Sequence, residues 1–325
     1  MAFSADQLLE KVNTYLATMP YVREPKGLYA PIEYVLSLGG KRIRPVLMLL
    51  SYQLYKENVD DILPQAAGIE TYHNYTLLHD DLMDCADMRR NKPTVHKVWD
   101  ENTAILSGDA MLVLAYRLMN NCPERYLKQV MDIFSQTALE ICEGQQWDME
   151  FETRNDVTVP EYMEMIRLKT SVLLSAALKI GAVLGGASED DARKLYDFGI
   201  KMGLAFQLQD DYLDVYGDSK VFGKNIGGDI LCNKKTFMLI NALALADGIQ
   251  RKELEKWIVS TAFCPEEKIK AVTALYDKIG IGGICEEKIN AYYVEGLSLL
   301  ESMAVPSERK EELKSFVCHL MNRKV

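Results

Sequence analysis

Apolar residues recur along most of the chain at the spacing of a helix face, and prolines separate the periodic segments from one another. An interior proline breaks a helix, and the ten prolines fall mostly between segments of helical periodicity. None of them lies between Pro160 and Pro265. We find no convincing alternation of apolar and polar residues and no β-hairpin signature between such runs. The pattern therefore predicts an all-α fold.

The periodic segments predict a series of helices up to residue 216 and shorter helices after Lys234. Gly39 and Gly40 mark a helix stop, whereas Pro64 suits the first turn of the long helix that follows. The predicted helices cover residues 6–18, 32–38, 46–55, 103–120, 123–152, 160–185 and 190–216, besides the helix that Pro64 opens. Later boundaries are expected near residues 247, 264, 280–283 and 305.

Two acidic clusters of the same form stand on separate predicted helices, 130 residues apart. Bunched carboxylates repel one another unless a cation lies among them, and Mg²⁺ favours oxygen ligands that it shares with waters and phosphates. Either cluster alone could be a solvated helix face, but the apolar flanks of both need burial. The pair therefore predicts a two-sided magnesium site for a phosphorylated ligand. Its residues are Asp80, Asp81 and Asp84 in the first cluster and Asp210, Asp211 and Asp214 in the second.

Composition and charge narrow the class of protein. The 325 residues show no linker, so we expect one domain over residues 1–325. A net charge of −10 argues against nucleic acid and anionic membranes as partners. The seven scattered cysteines form no paired motif and indicate reduced thiols in a cytoplasmic protein. The apolar stretch 171–186 contains Lys179 and is short for a membrane span, so we expect a buried helix and no stable membrane insertion.

A set of short motifs occurs in the order that is typical of the trans-isoprenyl diphosphate synthases, which this chain resembles. Each motif is weak alone, but the ordered set over residues 39–236 is specific. The motifs are G-G-K-R-I-R-P at 39–45, H-D-D-L-M-D at 79–84 followed by Arg89-Arg90, G-Q-Q-W-D at 144–148, K-T at 169–170, F-Q-L-Q-D-D-Y-L-D at 206–214, G-K at 223–224 and N-K-K-T at 233–236.

The resemblance implies a helical bundle of the isoprenoid synthase type around a deep central cavity, usually as a homodimer. It also implies a head-to-tail prenyltransferase that condenses isopentenyl diphosphate with an allylic diphosphate. The trans product expected here has fifteen or twenty carbons, as farnesyl or geranylgeranyl diphosphate. Two carboxylate clusters in such enzymes bind Mg²⁺, three ions in the usual arrangement, as Lewis acids on the leaving diphosphate.

The same resemblance assigns roles to the remaining motif residues. The allylic diphosphate is expected to contact Arg89, Lys169 and Lys224, with Lys234 in support. Isopentenyl diphosphate is expected to bind Lys41, Arg44, His73 and Arg90. Oxygens that face the transient cation are expected from Lys169, Thr170 and Gln207, with Gln145 and Asp148 as a second tier. His79 and His96 are interpreted as structural residues.

Product length is expected to depend on the residues just before Asp80. Tyr75 and Thr76 stand five and four positions before it, about 6 to 7.5 Å along a helix. A bulky residue there would act as a floor for the growing tail, unless Tyr75 is ordinary core and another helix sets the floor. Asn91 replaces a glycine common in the family, but asparagine tolerates the left-handed conformation. The two-residue spacing inside the first cluster weakens a farnesyl-only assignment.

Three alternatives remain open from the sequence. A long-chain polyprenyl synthase would share the fold. A terpene cyclase or head-to-head synthase would also pair acidic motifs, but Lys41, Arg44 and Arg90 speak against it because it needs no separate isopentenyl diphosphate site. A regulatory subunit is disfavoured by the intact aspartates.

Overall fold

Side-chain caps explain where several helices begin. Ser4 Oγ accepts the N–H of Gln7, whose side chain in turn accepts the N–H of Ser4. Asp247 and Gln250 form the same reciprocal capping box near the predicted boundary at residue 247. Each box satisfies backbone donors that the first turn of a helix leaves free. These caps fix helix starts close to the positions predicted from the sequence.

The computed structural model describes residues 3–21, 23–217 and 226–321. Helices dominate, so the predicted all-α class is confirmed. The helices are α1 Ala5–Thr18, α2 Lys26–Ser37, α3 Ile43–Gln53, α4 Leu63–Met83, α5 Val95–Val98, α6 Glu101–Met119, α7 Glu124–Thr153, α8 Val159–Ile166, α9 Val172–Gly185, α10 Glu189–Tyr216, α11 Gly228–Leu231, α12 Phe237–Leu245, α13 Gly248–Val259, α14 Pro265–Ile279, α15 Ile281–Glu301 and α16 Ser307–Met321. A 3₁₀ turn Val59–Ile62, a π turn Arg167–Ser171 and an antiparallel pair of strands, β1 Met88–Arg89 and β2 Lys92–Pro93, complete the described elements.

The chain divides into two compact units. The first contains Met1–Gln136, Ala176–Tyr196 and Ala304–Leu313, and the second contains Thr137–Ser175, Asp197–Met303 and Lys314–Val325. The assignment of residues 1–325 to one domain stays a prediction.

In the first unit, α4 packs along α6. Gly108 on α6 lies directly against the ring of His79, and Gly68 on α4 lies against Leu118. A Cβ at either glycine would force its neighbour to move, so small residues let the two helices approach closely. The core of this unit contains Tyr21, Ile32, Val35, Leu36, Leu78, Val95, Ala104 and Met111.

In the second unit, the core surrounds the C-terminal half of α10. Leu208 is fully buried there with Met238 and Ile281 from later helices. Tyr162 from α8 is 1% exposed and belongs to the same cluster. This packing holds the helix that carries the second acidic cluster.

Three local features differ from the sequence predictions. Helix α2 begins six residues early and contains Pro31, because burial of Ile32, Val35 and Leu36 outweighs the lost backbone hydrogen bond. The π turn interrupts the predicted helix 160–185. The strand pair β1–β2 was not predicted, because it is too short to show an alternating pattern.

The segment Val159–Gly185 is long and apolar enough to cross a membrane by length and composition alone. Its most apolar window is 83% buried inside the protein. Such burial is typical of a core helix, in agreement with the predicted buried helix.

Candidate active site

The first acidic cluster lies at the C-terminal end of α4, where Arg89 folds back onto it. The guanidinium donates to Asp81 Oδ1 from Nε at 2.9 Å and from Nη2 at 2.6 Å. Its Nη2 also lies 3.7 Å from Asp80 Oδ2. Burial raises the pKa of Asp81, and the contact with Arg89 opposes that shift. A positive group thus stands among the bunched carboxylates, as their repulsion predicts.

Arg89 can reach the acidic cluster because the chain reverses direction at the end of α4. Asp84 is the C-cap, and Cys85 has a φ of 53°, the left-handed conformation that glycine usually supplies. Arg90 and Asn91 then form the turn between the strands with φ of 52° and 60°. Both values are positive, as a type I′ hairpin turn requires. The prediction that Asn91 accommodates this turn is confirmed.

The basic residues of the first unit meet beside α4. Arg44 Nη1 lies 3.1 Å from His73 Nε2. A guanidinium can only donate, so His73 accepts through Nε2 and carries its proton on Nδ1. Arg90 donates to the carbonyl of Gly39, and Gly40 packs against the same guanidinium. The hairpin is thereby joined to the turn that precedes α3.

Burial lowers the pKa of both Arg44 and His73 in this basic cluster. It lowers the pKa of Arg44 to about 10, with Glu70 opposing and Arg90 adding to the shift. The pKa of His73 lies well below its usual 6.5, first because of burial and then because of Arg44. The Nε of Arg44 is buried and has no hydrogen-bond partner in the described part of the chain. A buried donor without an acceptor is costly and points to an anion.

Tyr75 is half-buried and held by aromatic neighbours on its own helix. Its ring centroid lies 5.4 Å from that of Tyr72 and 4.8 Å from the imidazole of His79, in an edge-to-face arrangement. The hydroxyl of Thr76 donates to the carbonyl of His73 at 2.8 Å. His79 contacts the carbonyl of Ile105 at 3.2 Å. These contacts fit the structural role predicted for His79.

In the second unit, Asp211 ends a chain of polar contacts. Thr170 donates to Gln207 Oε1 at 3.1 Å, and Gln207 Nε2 donates to Asp211 Oδ1 at 3.2 Å. The hydroxyl of Tyr162 donates to the other oxygen of Asp211. Burial raises the pKa of Asp211 to about 7, with the Asp229 charge adding to the shift and Tyr162 opposing it. The predicted contact partners Thr170 and Gln207 are therefore adjacent to the acidic cluster.

Asp214, near the end of α10, binds the backbone of the segment that contains Gly227 and Asp229. Its Oδ2 accepts the N–H of Asp229 at 3.0 Å, and its carbonyl accepts the N–H of Gly227 at 2.7 Å. Asp148 binds Lys169 Nζ at 2.6 Å. Burial alone would raise the pKa of Asp148, but the charges of Lys234 and Lys169 lower it. The charge of Lys234 therefore acts on Asp148.

Lys169 and Thr170 lie in the π turn. Gly144 on α7 leaves room for this turn, since a Cβ there would lie 2.5 Å from the backbone nitrogen of Lys169. Gly203 on α10 makes a similar approach, with a Cβ 2.6 Å from Ser171 Cα. Single π turns are frequent at functional sites. Here the turn directs two predicted site residues.

Two residues that contact the second acidic cluster were not predicted from the sequence. Tyr162 and Asp229 touch the second cluster but had no signal in the sequence, because their roles depend on contacts across 49 and 15 residues of chain. Lys224 lies outside the described residues. Lys41 is exposed just before the turn that carries Arg44.

The donor set suits Mg²⁺ by chemistry. It consists of carboxylate oxygens in two clusters, and an ionised Asp211 at neutral pH needs a nearby cation because burial disfavours its charge. Within residues 3–21, 23–217 and 226–321, no three His, Cys, Asp or Glu side chains already converge as a metal site. The clusters belong to different units, and the predicted two-sided site stays a prediction.

Comparisons with known proteins agree with the motif pattern. A family model described as polyprenyl synthetase matches residues 25–276. A short chain isoprenyl diphosphate synthase of Methanocaldococcus jannaschii is 42% identical, over 81% of this chain and 80% of that protein. A geranylgeranyl diphosphate synthase of Methanosarcina mazei is 46% identical, over 68% and 69%. A crystal structure of a geranylgeranyl pyrophosphate synthase superposes with a TM-score of 0.91 at 44% identity, covering 98% of both chains.

Proposed function

The chain belongs to the polyprenyl synthetase family and is a short-chain trans-prenyltransferase, and from this premise we propose that it condenses isopentenyl diphosphate head-to-tail with an allylic diphosphate. The allylic substrate loses diphosphate to give an allylic cation. The double bond of isopentenyl diphosphate attacks this cation, and a proton then leaves to the departing diphosphate. No separate general base is required.

The observation that carries the proposal is the basic cluster around Arg44 and His73. It offers a buried Nε donor, which has no hydrogen-bond partner among the described residues, beside a neutral imidazole. Donors of this kind suit a second diphosphate. A terpene cyclase or head-to-head synthase does not need a separate site for isopentenyl diphosphate. We assign it, with Lys41 and Arg90, to isopentenyl diphosphate.

We assign the allylic diphosphate to the acidic clusters and their lysine and arginine neighbours. Asp80, Asp81 and Asp84 with Asp210, Asp211 and Asp214 would hold Mg²⁺, three ions in the expected arrangement. The ions, when bound, supply Lewis-acid stabilisation of the leaving oxygens. Arg89 and Lys169 add positive charge where negative charge develops. Thr170 and Gln207 direct oxygens towards the cation.

We propose a product of fifteen or twenty carbons, with geranylgeranyl diphosphate favoured. Tyr75 supports a short product because its bulky ring is held in place one turn before Asp80. The Methanosarcina mazei relative, a geranylgeranyl diphosphate synthase, supports the longer of the two lengths. A long-chain synthase would suit a small residue at position 75.

We also propose a cytoplasmic homodimer. Ile105, Leu106 and Val113 on α6 are 46%, 60% and 60% exposed in the isolated chain. Large aliphatic side chains grouped on one helix are typical of a subunit interface. All seven cysteines are free thiols, which supports a reducing compartment.

The proposal is tested by incubating the purified chain with isopentenyl diphosphate, Mg²⁺ and dimethylallyl, geranyl or farnesyl diphosphate, followed by analysis of product length. We expect a trans product of twenty carbons at most. The variant Asp80→Ala with Asp81→Ala should lose activity by a factor on the order of 10² to 10³. Near wild-type activity in that variant would contradict the metal assignment. Absence of condensation by the wild-type chain with every primer would contradict the function.

A further inference from the structure

A buried ion pair in the first unit lies beside the basic cluster but has no place in the proposed chemistry. Arg42 Nη1 donates to Glu70 Oε1 at 2.7 Å, and the two side chains are 4% and 2% exposed. Breaking such a pair leaves an uncompensated charge, whereas apolar residues of similar volume often replace both partners without loss of stability. Stability alone therefore does not explain the pair.

Arg42 makes directional contacts that an apolar side chain cannot replace. Its Nη2 donates to the carbonyl of Leu36 at 2.7 Å, and its Nε donates to Asn13 Oδ1 at 3.2 Å. Glu70 also accepts from Asn74 Nδ2 at 3.0 Å. One guanidinium thus connects α1, the end of α2 and the middle of α4. All of these groups belong to the first unit.

These contacts hold a turn, residues 39–42, whose backbone conformation is unfavourable for a residue with a Cβ. Arg42 has a φ of 47°, and Gly39 and Gly40 before it have φ of 75° and 133°. Glycine adopts such values freely, but a Cβ makes them unfavourable. Arg42 is also the N-cap residue of α3. Its side-chain contacts therefore set the direction in which α3 leaves the turn.

The same turn positions the basic cluster. Lys41 precedes Arg42, and Arg44 lies in the first turn of α3, where it meets His73. Glu70 and His73 are three residues apart on α4 and so lie on the same helix face. The Arg42–Glu70 and Arg44–His73 contacts therefore join the same two elements about one helical turn apart.

We propose that Arg42 and Glu70 are positioning residues that place Lys41 and Arg44 relative to His73 and thereby determine the affinity for isopentenyl diphosphate. The inference rests on the proposed function of the basic cluster. Neither residue is assigned a substrate contact, so the effect runs through the turn. Changing either residue should therefore alter KM for isopentenyl diphosphate and leave KM for the allylic substrate unaltered.

The first test uses Arg42→Lys, which keeps the charge beside Glu70 but lacks a planar fork that reaches several acceptors. We expect KM for isopentenyl diphosphate to rise about tenfold and KM for the allylic diphosphate to stay within about twofold. The matched control is Lys11→Met, which removes an exposed ion pair to Asp60 of 2.8 Å in the same unit and should change neither value. Wild-type KM values for both substrates in Arg42→Lys overturn the proposal.

The second test separates positioning from a merely structural role. In the double variant Arg42→Met with Glu70→Met, no charge is left uncompensated, so the melting temperature should fall less than in Arg42→Met alone. The turn has nevertheless lost its directional contacts, and KM for isopentenyl diphosphate should remain raised about tenfold. A folded double variant with a normal KM for isopentenyl diphosphate overturns the proposal.

A third variant distinguishes failure of this inference from failure of the proposed function. Arg44→Gln should raise KM for isopentenyl diphosphate. If it does so while the Arg42 variants do not, the positioning role is wrong and the proposed function stands. If Arg44→Gln leaves this KM unchanged, the basic cluster does not bind the substrate, and both proposals fall.

Discussion

His73 gives the protein a pH dependence that can be assigned to one side chain. Burial holds its pKa well below 6.5 in the folded protein. The charged groups that face it lower the pKa further and come from α3 with its N-cap and from the hairpin: Arg44, Arg90, Arg89 and Arg42. The folded protein therefore keeps this imidazole neutral at a pH where the unfolded chain takes up a proton.

The sign of the effect follows from the lowered pKa. The contribution of His73 to the free energy of unfolding is fully present above about pH 6.5 and decreases as the pH falls, by about 1.4 kcal/mol per unit for one proton. Urea unfolding between about pH 5 and 7 should therefore show a shallower pH dependence for His73→Gln than for the wild type. Equal slopes would contradict the neutral assignment.

Tyr75 is expected to limit product length. Tyr75→Ala removes a ring that Tyr72 and His79 hold in place, so the product should lengthen by at least one isoprene unit. Stability should fall by roughly 2 kcal/mol, less than for a fully buried aromatic. Tyr75→Phe keeps the bulk and is the matched control. An unchanged product from Tyr75→Ala would place the floor on another helix.

At the scale of residues, sequence reasoning found the groups whose chemistry is local. The aspartates are recognisable from residue type and spacing, and the lysine and arginine residues from the resemblance of their motifs to the family. Tyr162 and the pair Arg42–Glu70 are not, because each acts through a partner far away in the chain. Their roles exist only after folding.

At the scale of elements, the π turn of the second unit determines the orientation of Lys169. Gly144→Ala would place a methyl group 2.5 Å from the Lys169 backbone nitrogen. We expect a loss of about 1–3 kcal/mol in stability. Because the turn must shift, kcat should fall about tenfold or more.

The matched control for this change is Gly283→Ala. A Cβ at Gly283 meets nothing within 4 Å, and the residue lies inside α15. This substitution should stabilise the protein by roughly 0.5–1 kcal/mol and leave kcat unchanged. A Gly144→Ala variant as active as Gly283→Ala would show that the π turn tolerates displacement.

Element boundaries were predictable where the usual signals exist. Prolines, glycines and capping residues placed most of them within a few residues. The end of α4 was not predictable, since Cys85 takes the left-handed position in place of glycine. The π turn left no trace in the periodicity because residues 171–185 are buried on nearly every side of the helix, so a rotation of the apolar face is not visible.

At the scale of the whole molecule, the exposed apolar residues of α6 predict the oligomeric state. Leu106→Asp with Val113→Asp should convert the proposed homodimer into a monomer in sedimentation velocity. Charge placed in an interface core is costly, whereas the same charge on free surface is nearly neutral. Leu245→Asp, at a residue 55% exposed in the second unit, is the control and should remain dimeric. A wild-type monomer would contradict the prediction.

The contact of Arg89 with Asp80 and Asp81 has a consequence for how this protein is made and stored. Arg89 is the counter-ion of the first acidic cluster, so the chain can fold before a metal binds there. Treatment with a chelator should abolish turnover and leave the melting temperature almost unchanged. Magnesium would then be required for the reaction and not for the folded structure. The enzyme could release it and bind it again at every turnover.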